Sequence, residues 1–175
     1  AAEIDAAAAD VGFLQIVGHG IAPGVIDTAW QAARAFFDLP LDAKLAVRIP
    51  DGAAYGYAPF RAERLAASLG EATPPDLKET YSAGPFDPPP AALDLAADES
   101  AAFVYSPNLW PAELPGMRSA FEAYYRAQAA LTERVLALMA GGLGLPDTYF
   151  APFVDVHTSA LRALRYPDLN VLGGV

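Results

Sequence analysis

Few side chains in this 175-residue sequence have both the type and the setting for chemistry. There is no cysteine, so thiolate catalysis, disulfides, zinc knuckles and iron–sulfur clusters are excluded. The two histidines are His19, in a glycine turn, and His157, which with Asp155 makes an Asp-x-His pair ahead of a strand. A 2-His-1-carboxylate iron site needs three inward-facing ligands, and no third lies near this pair. Both histidines are therefore expected to make structural hydrogen bonds, and no metal ligand or catalytic residue is assigned. Ser82, Ser106 and Ser159 lack a nucleophile-elbow context. Gly141-Gly142-Leu143-Gly144 follows a helix rather than a strand, which makes it a helix cap and not a phosphate cradle. Asp98-Glu99 reads as solvated loop.

Arg162 is different. It shares a predicted strand face with Leu164 and Tyr166, where a fully buried arginine would need an anionic partner. It either snorkels to water from an edge strand or forms part of a pocket wall that meets a carboxylate-bearing ligand. The residues alone leave both open.

The elements that must position these residues follow from periodicity and punctuation. Ala-rich 1–10 reads as a helix with acids near its start. Val11-Gly12-Phe13-Leu14-Gln15-Ile16-Val17 is a short apolar run bounded by glycines, the pattern of a buried strand. Pro23 opens a helix whose Val25, Ile26, Ala29, Trp30, Ala33, Phe36 and Phe37 form one apolar stripe, and Leu39-Pro40 closes it. Leu41 to Lys44 adds one turn. Residues 51–59 are turn-rich around Tyr55-Gly56-Tyr57, and 76–82 alternate as a strand. Four prolines in 85–90 make a stiff loop. Met117, Phe121, Tyr124, Gln128, Leu131, Val135 and Leu138 mark a long helix over about 115–139, stopped by Gly141-Gly142. Phe150 to Phe153 is apolar connector. Thr158 to Tyr166 reads as a strand with Leu161, Ala163 and Arg165 on one face and Arg162, Leu164 and Tyr166 on the other, ended by Pro167.

Composition narrows the classes further. Hydrophobic residues make up 54% and charged residues 18%, which favours one packed domain over disorder. Eleven Lys and Arg against twenty-one Asp and Glu give a net charge of −10 with no basic run, which argues against nucleic acid as a partner. Residues 1–9 lack the basic start of a signal peptide, and no apolar run approaches the roughly 18 residues of a membrane span. A soluble cytoplasmic protein is expected.

The order of several motifs resembles the isopenicillin N synthase-like family of iron(II), 2-oxoglutarate-dependent oxygenases. Gly12-Phe13-Leu14-Gln15-Ile16-Val17-Gly18-His19-Gly20-Ile21 is similar to the family's opening strand and turn. Ala35-Phe36-Phe37-Asp38-Leu39-Pro40 with Lys44, then Gly56-Tyr57, Asp76-Leu77-Lys78-Glu79 and Pro107-Asn108-Leu109-Trp110-Pro111 follow in the family's order. His157 to Pro167 is similar to the strand that leads into the catalytic barrel. The resemblance implies an α+β fold, a helical and partly stranded region (1–157) leading into a double-stranded β-helix, or jelly roll, of which 158–175 is the start or fragments. It implies iron(II) and 2-oxoglutarate as cofactor and co-substrate, with O₂ and a small molecule as reactants. The family's His-x-Asp and distal His ligands and its Arg-x-Ser motif lie beyond the Tyr-Pro strand, so none transfers. By the same resemblance Tyr166 is a 2-oxoglutarate or substrate contact. Arg162 and Leu164 line the substrate pocket, Leu164 replacing a frequent asparagine. The tail 168–175 looks like two later family segments, Leu169 to Leu172 and Gly173 to Val175, with the stretch between them absent. The rival reading is a non-catalytic binding or assembly module, with the long helix as its interaction surface.

Overall fold

The computed structural model describes residues 2–64, 74–88 and 99–168. Helix α1 spans Ala2–Asp10 and buries no side chain. Helix α2 spans Pro23–Phe37, with proline in its first turn, where no helical N–H bond is lost. Its stripe buries Ala29, Phe36 and Phe37. After the short α3 (Leu41–Leu45) comes β1 (Gly56–Ala58), the centre of the region that reads as turns. Strand β2 is Glu79–Ala83, and a six-residue helix, α4, covers Glu99–Val104. Glu99 thus opens a helix instead of lying in loop, whereas Asp98 falls outside the described residues.

Helix α5, Met117–Gly142, is the long element that the four-and-three spacing predicts. It is about 39 Å long at 1.5 Å per residue. Gly141 and Gly142 do not stop it. The helix runs through both and caps at Leu143, and the left-handed residue that turns the chain away is Gly144, at φ 70°. A single 3-10 turn, Ala151–Phe153, lies in the apolar connector ahead of β3, Leu161–Arg165.

The three strands form one antiparallel sheet in the order β1-β2-β3. Tyr57 stands opposite Tyr81, and Tyr81 opposite Ala163, so these three share a face. Helices α2 and α5 pack together against that face. The core is aromatic: Phe36 lies 4.6 Å from Tyr81 and 5.7 Å from Tyr57, and Phe121 meets Tyr81 edge to face at 5.7 Å. The buried tyrosines keep partners for their hydroxyls, as buried polar groups must: Tyr81 donates to the Leu109 carbonyl and Tyr55 to that of Val104. Two glycines admit the close approaches. A Cβ on Gly84 would sit 1.9 Å from the Tyr55 ring, and one on Gly56, at φ 132°, would sit 2.6 Å from the Val47 carbonyl.

One expectation fails clearly. Val11 to Val17 is not a buried strand: it pairs with no strand among the described residues, and Phe13 and Val17 are 83% and 85% exposed. A β-rich sequence becomes a strand only where a ladder partner accepts its backbone groups. The sheet is formed by other segments, and α1 lies along α5 instead. Residues 89–90 of the proline loop, and the reading of 169–175 as displaced family segments, lie outside the described residues.

Candidate functional site

Strand β3, followed by Tyr166 and Pro167, is one of the two edge strands of the sheet. Among the described residues strand β3 pairs with β2 alone, and it borders a cleft of about 680 Å³ between α2, α5 and the strand. Trp30, Ala33 and Phe37 form the α2 wall, and Phe121 and Tyr124 the α5 wall. All of Leu161 to Tyr166 reach it, so Arg162, Leu164 and Tyr166 do share a cleft. Trp30 and Tyr166 are 66% and 69% exposed, a large apolar area to leave in water.

The alternation read from the sequence holds. Leu161 and Ala163 pack on the aromatic core, and Arg165 points to the same side, while Arg162 and Leu164 stand opposite Ser82 and Thr80 on the other face. Arg162 neither floats free in water nor lies buried. Its guanidinium donates to Glu63 Oε1 at 2.6 Å and reaches Thr80 Oγ1 at 3.4 Å, while keeping 44% exposure. The second Glu63 oxygen is buried without a hydrogen bond. Lys78 Nζ, 3.5 Å away, supplies charge but is committed to Asp76 at 2.7 Å. Arg162 is therefore an arginine already shaped around a carboxylate, held at the mouth of a cleft.

On the core side lies a group of residues whose convergence the sequence reading did not find. The buried Glu79 carboxylate accepts Lys44 Nζ at 2.8 Å and the Tyr57 hydroxyl at 2.5 Å on Oε2, and Arg165 Nε at 2.5 Å on Oε1. Burial alone would raise the Glu79 carboxyl. The bonds from Lys44 and Tyr57 and the charges of Lys44 and Arg165 outweigh it and hold the group below the usual carboxylate range. The Tyr57 hydroxyl is pushed well above the usual phenol value, first by burial and then by Glu79. The sequence signal is slight: Glu79 falls in the stretch 76–82 that alternates as a strand, and Lys44 in a single helical turn with Asp42 beside it.

Both histidines make hydrogen bonds within the chain. His19 Nδ1 accepts the Ile21 N–H at 3.1 Å, and Arg134 donates to the His19 carbonyl at 2.9 Å. His157 lies 3.4 Å from the Tyr125 hydroxyl, which donates to the Ser159 carbonyl at 2.9 Å. Burial pushes that hydroxyl up to about 12. Among the described residues no group of three or more His, Asp or Glu side chains could hold a metal ion. These residues do not fit an iron centre.

With the cleft in place, likeness to other proteins decides the family. Residues 1–113 match the family model described as non-haem dioxygenase in morphine synthesis, N-terminal. The chain belongs to the non-haem, 2-oxoglutarate-dependent dioxygenases. A 2-oxoglutarate-dependent dioxygenase, caaD, of Aspergillus niger is 31% identical over 175 residues, covering 95% of this chain and 49% of its own length. A putative 2OG-Fe(II) oxygenase family protein from Caulobacter crescentus superposes with a TM-score of 0.69 at 31% identity, over 85% of this chain and 45% of that one. A full-length Neurospora crassa protein, solved in complex with alpha-KG and thymine, gives a TM-score of 0.64 at 31% identity, over 85% of this chain and 44% of that one. The chain thus spans about half the length of the relatives it matches. This dioxygenase region contributes the helices and the small antiparallel sheet described above.

Proposed function

We propose that the protein to which this dioxygenase chain belongs oxidises a small molecule with O₂, using iron(II) and 2-oxoglutarate. The observation that carries this is the β3 cleft: a Tyr-Pro strand at the sheet edge presents Arg162, Leu164 and Tyr166 together, in a chain whose solved neighbours include one with alpha-KG bound. The metal supplies the oxidising power, and no described residue here would hold it. The chain's own share is to bind, orient and exclude water. Tyr166 offers a hydroxyl to 2-oxoglutarate or substrate. Arg162 offers a guanidinium to an anionic group once Glu63 yields, and Leu164 gives an apolar wall. A jelly-roll core, of which 158–175 would be the start or fragments, would close over this side. A cytoplasmic location goes with this reading, and cell fractionation tests it.

The test is turnover. The natural full-length protein, given iron(II), should release succinate from 2-oxoglutarate, and Tyr166→Phe should raise the 2-oxoglutarate KM by about tenfold, the loss of roughly one good hydrogen bond. The second reading, a binding module without catalysis, draws on the exposed Phe13, Val17, Trp30 and Tyr166, which a partner would cover. Failure of the full-length protein to consume 2-oxoglutarate would put that reading first.

A further inference from the structure

An edge strand paired on one side needs something to fix its register, because a slip of one residue exchanges its two faces. For β3 that exchange would turn Arg162, Leu164 and Tyr166 toward the core and Leu161, Ala163 and Arg165 away from it, so the cleft would be lined in a different order. The core-facing side chains already oppose a slip, since it would set Arg162 against the aromatic core without an anionic partner, and a charged pair adds to them. One pair cannot be exchanged. Arg165 stands directly opposite Glu79 in the ladder, and Glu79 is the buried carboxylate on which side chains from three other elements converge. Lys44 comes from α3, Tyr57 from β1 and Arg165 from β3. Lys44 also donates to the Phe37 carbonyl at the end of α2, at 3.2 Å. Arg165 reaches Asp38 just beyond that helix, at 3.2 Å, with its guanidinium 5.6 Å above the Phe37 ring. Two cations and two carboxylates balance. A slipped β3 would set Leu164 or Tyr166 against Glu79 and leave Oε1 buried without its donor, at a cost that a buried charge imposes and an apolar mismatch does not.

We propose that Glu79 is a positioning residue that pins the register of β3 through Arg165 and thereby fixes where Arg162, Leu164 and Tyr166 meet the ligand. The role in ligand placement rests on the oxygenase reading above, and the pinning of the strand does not. Glu79 is not among the residues that line the cleft and acts on it through Arg165. Its effect is to reinforce the alignment of an edge strand with a paired charge, which apolar packing of the same volume would not supply.

Two readouts on the natural full-length protein separate the possibilities: amide hydrogen exchange over residues 161–165, and the affinity for 2-oxoglutarate with iron(II) under anaerobic conditions. Arg165→Met leaves Glu79 paired with Lys44 and Tyr57, so the fold persists. It should speed β3 exchange by about tenfold, as expected for a local opening freed by roughly 1.4 kcal/mol, with α5 unchanged. It should also weaken 2-oxoglutarate binding by about fivefold or more. Arg165→Lys, which keeps a cation at Glu79, should recover part of both. The double change Lys44→Met with Glu79→Gln removes both buried charges. It should melt at a higher temperature than Glu79→Gln alone, yet keep the faster β3 exchange and the weaker binding. If Arg165→Met and the double variant instead match the natural protein in β3 exchange and in binding, Glu79 serves only core stability and the proposal is overturned. If β3 exchange rises as expected but the natural protein binds no 2-oxoglutarate, the pin stands and the oxygenase reading falls.

Discussion

The two faces of β3 share one short backbone and could hardly differ more. On the core face each side chain has a partner: Leu161 and Ala163 lie on the Phe36–Tyr81–Phe121 cluster and Arg165 on Glu79. On the other face Arg162 borrows a carboxylate from Glu63, Leu164 is half exposed, and Tyr166, one residue on, stands mostly in water. Among the described residues the first face is complete and the second is not. Substitutions on the complete face should therefore register as stability, reaching ligand binding only through the alignment of β3, and those on the open face as ligand binding directly.

The largest effect is expected at the centre of the complete face. Tyr81→Ala removes a fully buried ring that meets Phe36 and Phe121, and should cost about 3–5 kcal/mol in chemical denaturation, enough to unfold a marginal domain. Glu79→Gln should come next, at about 3 kcal/mol, because it strands the buried Lys44 ammonium without its counter-charge. Gly84→Ala, which forces a methyl into the Tyr55 ring, should cost about 1–3 kcal/mol. On the open face Leu164→Ala and Tyr166→Phe should stay within about 0.5 kcal/mol in the same denaturation series. A loss of about 2 kcal/mol or more at Tyr166, the range of a buried-site change, would break the comparison.

Titration sharpens the same contrast. The folded chain holds the Glu79 carboxyl below its unfolded value of 4.5, so the stability from this group is present above pH 4.5 and is lost as pH falls through the folded value. In alkali the sign reverses. The Tyr57, Tyr81 and Tyr125 hydroxyls are raised above their unfolded value of 10.0, Tyr125 to about 12, so their stability is intact below pH 10 and declines as pH rises through the folded values. Thermal melts across both ranges should fall at each end. In Arg165→Met the acid limb should shift toward neutral pH, since one of the groups that lower the Glu79 carboxyl is gone.

Helices were the most legible part of this sequence, for a physical reason. The stripes of α2 and α5 repeat over several turns, and each helix satisfies its own backbone, so a local pattern is nearly a sufficient description. Strand β3 was readable because alternation, a terminal proline and an apolar face coincide. Val11 to Val17 was misread because a strand depends on a partner that the local sequence does not name. Gly141 and Gly142 misled because glycine weakens a helix without ending it, and the left-handed turn falls at Gly144. In the site, Arg162, Leu164 and Tyr166 could be assigned to one face from period two alone. The Glu79 clasp joins residues 44, 57, 79 and 165, far apart in the chain, and only the fold brings them together.

The most direct test of the oxygenase account is an anaerobic calorimetric titration of 2-oxoglutarate into the natural full-length protein, with and without iron(II). Saturable binding that requires iron(II), and that Tyr166→Phe weakens without lowering the melting temperature, is the predicted result. Absence of 2-oxoglutarate binding in the folded, iron(II)-supplemented protein would contradict the account and leave the open face of β3 to a binding partner.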